Sequence, residues 1–417
     1  PFDEDVLEHL KAWRAAGGRR ALVTASDQRI AERIAAHLGL FDEVHGTGGR
    51  ETGGANLKGP AKAAFLEARF GAKGFDYVGD SMADIPVWQR AGRAVTANAP
   101  AAIRDAAEGS GAEAEHLGKA RAGGARVRAV LRALRPHQWA KNALVFLPVI
   151  AAHETAPGIW LAAALAFAAF SMVASGVYLL NDLLDLAADR QHPRKRARPL
   201  ASGAMDIRLA SVMAPGLLLG GFLLAALLGT AGFALLLLVY IALTTAYSLR
   251  LKRLLVIDIC ALAALYTVRL VGGGLATGIA LSPWLIAFSG FLFLALAAIK
   301  RQAELTSMVA EGKQAAAGRA YRAEDLPTIS TMAIASGYLS VLVLALYLSS
   351  DAVAGLYSNP LWLWGICAVL LYWISRVAML TSRGEMHDDP VLFALRDRTS
   401  WVSGVLVAAL VVAGSVL

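Results

Sequence analysis

Three aspartates raise the first question of chemistry. Asp182, Asp185 and Asp189 fall in the run Asn181-Asp182-Leu183-Leu184-Asp185-Leu186-Ala187-Ala188-Asp189-Arg190. Their i, i+3, i+7 spacing puts all three on one face of a continuing helix. Stacked carboxylates repel unless a cation neutralises them. Hard oxygen ligands suit Mg²⁺, which commonly bridges protein carboxylates to a substrate diphosphate. The run follows about twenty mostly apolar residues, Ile159 to Leu180, long enough to cross a bilayer. Ionisable groups at such a boundary are functional candidates by default, the plain alternative being a solvated helix end with acid–base pairs.

Other polar groups punctuate apolar runs. Tyr247 and Lys252 close one of them, where Lys252 can neutralise diphosphate oxygens and Tyr247 can donate a hydrogen bond, although a snorkelling lysine would look the same. Asp258, Tyr266 and Arg269 lie inside the next run, and an arginine at that depth should face the bundle interior and find a partner. Lys300, Arg301 and Glu304 close the run after that.

The elements that must position these groups follow from composition. The chain has 417 residues, 57% hydrophobic and 17% charged, with a mean hydropathy of +0.52. That is too apolar for a water-soluble globule and points to a polytopic membrane protein. Apolar runs near 141–153, 159–180, 207–228, 232–248, 254–276, 284–299, 329–349, 361–380 and 400–417 make nine candidate spans, the first of them short. Lys and Arg concentrate after the second, fourth, sixth and eighth runs, while the connections between have none. The positive-inside rule therefore expects the basic loops and the N-terminal region on the cytoplasmic side. A transporter with charges along its path would carry them near the midplane, whereas these gather at one end of the spans. Cys260 and Cys367 both lie in apolar runs and imply no disulfide framework. The opening residues are not expected to be a secretory signal peptide.

Residues 1–115 read differently, as a soluble α/β domain. Ala21 to Ala25 and Phe75 to Asp80 have the pattern of buried strands, with a helical pattern from Asp27 to Leu38. In parallel sheets the polar residues just past strand ends line the ligand crevice, which singles out Thr24, Ser26, Asp80 and Asp84. A Gly-, Ala- and Arg-rich stretch, about Glu113 to Arg128, reads as a linker centred on residues 116–130, ahead of a membrane domain at 131–417.

Two resemblances sharpen this. The form NDxxDxxxDR resembles the first aspartate-rich motif of the UbiA-type intramembrane transferase superfamily. The continuation His192-Pro193-Arg194-Lys195-Arg196-Ala197-Arg198-Pro199 resembles the HPxKxxRP loop of its decaprenyl-phosphate phosphoribosyltransferase branch. Arg135 to Asn142 (RPHQWAKN) resembles that branch's RPxQWxKN segment, Tyr247 to Lys252 its YSxxLK element, and Tyr266 to Arg269 its YTLR element. The segment from Glu385 to Arg398 resembles the branch's last cytoplasmic loop, which is expected to be structural or lid-like. The likeness runs from Arg135 to the C-terminus. It implies an all-α bundle of nine transmembrane helices with Mg²⁺ on Asp182, Asp185 and Asp189, and with Lys252 and Tyr247 on the diphosphate. Asn181, Arg190, Lys141, Arg194, Arg198, Tyr266, Arg269, Lys300, Arg301 and Glu304 are then expected to bind substrate.

Aromatic prenyltransferases of the superfamily carry a second aspartate-rich motif where this chain has Lys300 and Arg301. Basic side chains there suit 5-phosphoribosyl diphosphate, which has a 5-phosphate besides its diphosphate. The expected partners are therefore that donor, a polyprenyl phosphate and the lipid bilayer of an inner membrane. The alternative is an aromatic prenyltransferase using a prenyl diphosphate. Nucleic acid is not an expected partner, and an oligomer is left open. The N-terminal domain resembles a haloacid-dehalogenase-type (HAD-like) phosphatase of Rossmann-like fold. Thr24 fits its second motif, Lys58 its third, and Asp80 and Asp84 its acidic, Mg²⁺-binding fourth. Its first motif, DxDGT, which carries the nucleophile, has no counterpart in these residues, so no aspartyl-phosphate is expected to form by that route.

Overall fold

The computed structural model describes residues 2–49, 56–118, 124–193, 195–314, 319–350, 353, 357–386 and 389–416. Two compact units emerge: residues 1–130 with 190–205, and residues 131–189 with 206–417.

The first unit is α/β, as expected. β1 (Ala21–Asp27) pairs in parallel with β2 (Glu43–Thr47), and β3 (Tyr77–Gly79), β4 (Arg93–Ala97) and β5 (Glu113–Leu117) form a second parallel sheet. Helices α1 (Glu4–Ala15), α2 (Gln28–Leu38), α3 (Pro60–Phe70), α4 (Ile85–Trp88) and α5 (Ala101–Glu108) surround them. Asp27 caps α2 by accepting from Arg29 N, and Gly39 ends it at φ 61°, a conformation that glycine enters without a Cβ penalty. Although Leu22 and Val23 belong to an apolar run of the kind buried in parallel sheets, they are only half-buried. Together with Tyr77 and Val78 of β3 they line a cavity of about 510 Å³. The stretch read as a linker contains β5, whose His116 Nδ1 lies 2.7 Å from Thr96 Oγ1, and then α6 (Gly124–Leu134). Its composition hid a five-residue strand and a helix.

In the second unit, eight helices among the described residues are long and apolar enough to cross a membrane. They are built on α8 (Pro157–Leu184), α10 (Ile207–Leu227), α11 (Ala231–Leu249), α12 (Ile257–Thr277), α13 (Pro283–Ala310), α14 (Leu326–Leu348), α15 (Trp364–Ser382) and α17 (Arg398–Val416). Shorter helices are α7 (Leu147–Ala151), α9 (Leu186–Gln191) and α16 (Pro390–Arg396). The first of the nine expected spans, at 141–153, is not a helix of this kind. It forms an 11-residue 3₁₀ segment, Pro136–Phe146, that runs into α7. Pro148 lacks the N–H that a continuous α-helix would use there.

Glycines of α12 let its neighbours come close, Gly273 facing the 3₁₀ segment and Gly272 facing α8. A Cβ at Gly273 would lie 2.1 Å from the carbonyl oxygen of Val145, and one at Gly272 2.5 Å from the Phe170 ring. Small residues let membrane-embedded backbones approach in this way. Gly273→Ala is therefore expected to cost about 1–3 kcal/mol, since a backbone carbonyl cannot rotate aside. A Cβ at Gly290 meets nothing within 4 Å. Thermal melting in detergent should fall for Gly273→Ala and hold for Gly290→Ala.

Candidate active site

Asp182 stands in the last turn of α8 and is 3% exposed. Arg135 Nη2 reaches its Oδ1 at 2.6 Å, and the same guanidinium lies 5.0 Å from the Tyr178 ring centre. Arg135 sits at φ 55°, an uncommon backbone for a residue with a Cβ, just ahead of the 3₁₀ segment. The three aspartates do not share one uninterrupted helix. α8 ends at Leu184, Asp185 is its exposed C-cap, and α9 starts afresh, with Asp189 N bonded to Asp185 O at 2.8 Å. Asp189 is 2% exposed. Among the described residues no three His, Cys, Asp or Glu side chains gather as a closed metal cage. Mg²⁺ rarely uses such a cage: one or two carboxylates plus substrate oxygens suffice, and Asp182 and Asp185 offer that donor chemistry.

A second cluster joins the 3₁₀ segment and two membrane-spanning helices to a loop. Lys141, Lys300 and Tyr266 converge on Asp389, from the 3₁₀ segment, α13 and α12 respectively. Burial alone would raise the Asp389 pKa, but Lys300 and Lys141 hold it down to about 2.

Arg269, 4% exposed in α12, finds the expected interior partners, and they are neutral. Nε donates to Asn142 Oδ1 at 2.7 Å and Nη2 to the Tyr240 hydroxyl at 3.2 Å, with Leu265 O taking Nη1. Asn142 in turn donates to Ser171 Oγ at 3.0 Å.

The fourth cluster centres on Asp258, fully buried near the start of α12. Tyr321 donates to its Oδ1 at 2.5 Å, while Arg301 Nη2 and Arg319 Nη1 lie 2.7 and 3.4 Å from Oδ2. Glu304 takes Arg319 Nε at 3.0 Å and also pairs with Arg301. Arg319 Nη1 donates to the Tyr247 hydroxyl at 3.2 Å. Burial would lower the Arg319 pKa, but Glu304, Tyr247 and Asp258 raise it on balance. Arg301, expected to face substrate, is 0% exposed and held between two acids. Arg319 and Tyr321, neither singled out as a site residue from the sequence, join the loop after α13 to α12.

Asn181 is half-buried and donates to Ser248 Oγ at 3.4 Å, and Lys252 is half-buried in the 3₁₀ turn after α11. Arg190, exposed, and Arg198, half-buried, belong to the segment grouped with the first unit, and Arg194 lies outside the described residues. So do His387 and Asp388 of the last loop.

In the first unit, Asp80 is exposed and lines a cavity of about 460 Å³ with Asn98 at the ends of β3 and β4. Asp84 turns inward instead. Its Oδ2 accepts from Ser81 Oγ at 2.7 Å and its Oδ1 from the Tyr77 hydroxyl at 2.9 Å. Lys58 is exposed, while Lys62, not singled out from the sequence, is buried with Nζ 2.8 Å from the Tyr77 hydroxyl and 3.9 Å from Asp84. Burial lowers the Lys62 pKa, opposed by Asp84 and Asp80. The Thr24 hydroxyl accepts from Ser26 N at 3.1 Å.

The eight apolar helices, which hold buried acids and bases, taken with the family match that follows, make this a membrane-embedded transferase. The chain belongs to the UbiA prenyltransferase family, which residues 143–415 match, while residues 1–89 match the haloacid dehalogenase-like hydrolases. The protein y4nM of Sinorhizobium fredii is 38% identical over 411 residues, 98% of this chain and 78% of that one. Nodulation protein NoeC of Azorhizobium caulinodans is 36% identical over 275 residues, 65% of this chain and 88% of that one. Decaprenyl-phosphate phosphoribosyltransferase of Mycobacterium tuberculosis is 40% identical over 185 residues, 43% of this chain and 61% of that one.

Proposed function

We propose that the chain transfers phosphoribose from 5-phosphoribosyl diphosphate to the phosphate of a polyprenyl lipid, with release of diphosphate. The observation that carries this reading is the pair Lys141 and Lys300, which converge on one anionic position while Asp182 supplies a separate acidic one. A donor with both a metal-binding diphosphate and a second phosphate matches that division. The likeness to the mycobacterial enzyme supports it.

Asp182 and Asp185, with Asp189, would hold Mg²⁺, which when bound neutralises charge on the leaving diphosphate. Lys252 and Tyr247 add a positive charge and a hydrogen-bond donor to the same oxygens. Asn181, in the last turn of α8 beside Asp182, adds a polar group on the diphosphate side, while Arg190, Arg194 and Arg198 are offered as substrate-binding on motif resemblance alone. The bond between C1 of the ribose and the diphosphate oxygen breaks as C1 gains oxocarbenium character, and a lipid phosphate oxygen forms the new bond to C1. The acceptor is already an anion, so neither a protein nucleophile nor a general base is required. Arg269 holds the helices around the lysines and Tyr266, and Arg301, paired with Glu304, anchors α13 to Asp258. The basic connections and the first unit face the cytoplasm of an inner membrane. The first unit is read as phosphatase-like, with Asp80, Asp84, Thr24 and Lys58 as its candidate site.

Purified protein in lipid nanodiscs, supplied with Mg²⁺ and polyprenyl phosphate, tests the reading by mass spectrometry. The phosphoribosyl lipid is expected from 5-phosphoribosyl diphosphate. Its absence, with prenyl transfer to an aromatic acceptor from a prenyl diphosphate, would replace this reading by the aromatic prenyltransferase one. Loss of one phosphate from the product on longer incubation would assign phosphatase activity to the first unit.

The two basic residues of α13 should separate. Lys300→Ala is expected to raise the KM for 5-phosphoribosyl diphosphate roughly tenfold, the effect of one lost charge-assisted contact of ~1.4 kcal/mol. Arg301→Ala should instead lower the melting temperature. Equal KM changes in two equally stable variants would refute the division.

A further inference from the structure

Lys141 Nζ lies 2.7 Å from Asp389 Oδ2, and Lys300 Nζ 3.1 Å from the same oxygen. The Tyr266 hydroxyl lies 3.3 Å from Oδ1. Tyr266 and Lys300 stand on the membrane-spanning helices α12 and α13, and Lys141 on the 3₁₀ segment packed against α12. Asp389 alone comes from the last loop, where it caps the seven-residue α16 through Val391 N at 3.2 Å. The basic side of the cluster thus stands on α13 and the 3₁₀ segment, and the acid side at the N-cap of the short helix α16, which packs against both.

Two ammonium groups brought to one oxygen repel each other, and a single carboxylate offsets only one of them. A phosphate monoester carries about −1.5 to −2 at neutral pH and offers three acceptor oxygens. It would answer both lysines and the phenol, where Asp389 answers them in part. Asp389 is 8% exposed, and a single one of its oxygens takes both ammonium groups.

We propose that Lys141, Lys300 and Tyr266 form a binding site for a phosphate monoester, and that Asp389 is its built-in occupant, displaced when the ester arrives. The site stands on its own geometry. Only the identity of the ester, the lipid acceptor's phosphate or the donor's 5-phosphate, rests on the transferase reading above.

Asp389→Asn keeps the shape and the helix cap, since Asn caps as well as Asp, and removes the competing charge. Full-length wild type and variant in nanodiscs are titrated calorimetrically with a short isoprenyl monophosphate, ribose 5-phosphate and inorganic phosphate. If Asp389 fills the site nine-tenths of the time, the variant should bind an ester about tenfold more tightly. A gain for the isoprenyl ester names the acceptor, one for ribose 5-phosphate the donor, and one for inorganic phosphate alone a free-anion site. Adding Lys300→Ala should abolish the gain. In the wild type, saturation with the ester should speed hydrogen exchange at Val391, because the cap is drawn off. Unchanged affinities in a folded variant, or unchanged exchange in the saturated wild type, would overturn the proposal. Failure of the transferase reading looks different: no pentosyl transfer by the wild type, with the affinity gain intact.

Discussion

Asp182→Asn is expected to lower the transfer rate by roughly 10²–10³ while the chain still folds, the scale seen when one preorganised electrostatic group is lost. Asp182, the one acid of α8, is buried where that helix ends, its Oδ1 held by Arg135. The amide keeps a carbonyl oxygen for Arg135, whose side chain is 24% exposed and can be solvated, so the packing of α8 should survive. What the amide loses is the charge that would hold Mg²⁺. The loss acts on the transition state, so kcat should fall more than KM rises. Turnover near the wild-type rate at saturating Mg²⁺ would remove the metal role from this residue. Asp185→Asn should have a smaller effect, since its exposed side chain has more freedom to be replaced by water.

The largest loss of stability should come from Asp258→Asn. Asp258 and Arg301 are both fully buried, and removing one member of such a pair costs about 3–5 kcal/mol because the other charge is left uncompensated. The arginine has little in reserve: among the described residues its Nε has no hydrogen-bond partner, and Glu304 is shared with Arg319. Melting temperature and folded yield should both drop. Asp258→Asn combined with Arg301→Met should recover part of the loss, and the double-mutant cycle should return a coupling well above 1 kcal/mol. Additive losses would mean that the two side chains act independently.

The apolar runs, the acid run at the end of α8 and the α/β character of the first unit could be read directly, because each depends on local pattern and length. The partners could not. Arg269 demanded a partner, but hydropathy cannot distinguish an acid on another helix from Asn142 and Tyr240, which satisfy it without a charge. Arg319 and Tyr321 looked like ordinary loop residues, since nothing in their neighbours reveals that the loop returns to Asp258. Spacing alone put three aspartates on one face, and the end of α8 at Leu184 undid that. Motif resemblance marked Asp84 as a metal ligand, but no motif could show that its carboxylate accepts from Ser81 and Tyr77. The segment at 141–153 had the composition of a span but too few residues, and a 3₁₀ winding took its place.

α8 and α13 each run for 28 residues. At 1.5 Å per residue that is about 42 Å, against about 30 Å of hydrocarbon in a typical bilayer. Asp182 stands two residues from the end of α8, and Lys300 and Glu304 stand ten and six residues from the end of α13. The surplus length of both helices therefore lies where the charged groups are. A thicker membrane would draw those turns toward its interior and raise the cost of their charges, and a thinner one would lift them into the headgroups at a fraction of a kcal/mol per ångström. Hydrophobic mismatch thus makes the surrounding lipid a determinant of how the acids and lysines meet water-soluble and lipid reactants, without any lipid touching them.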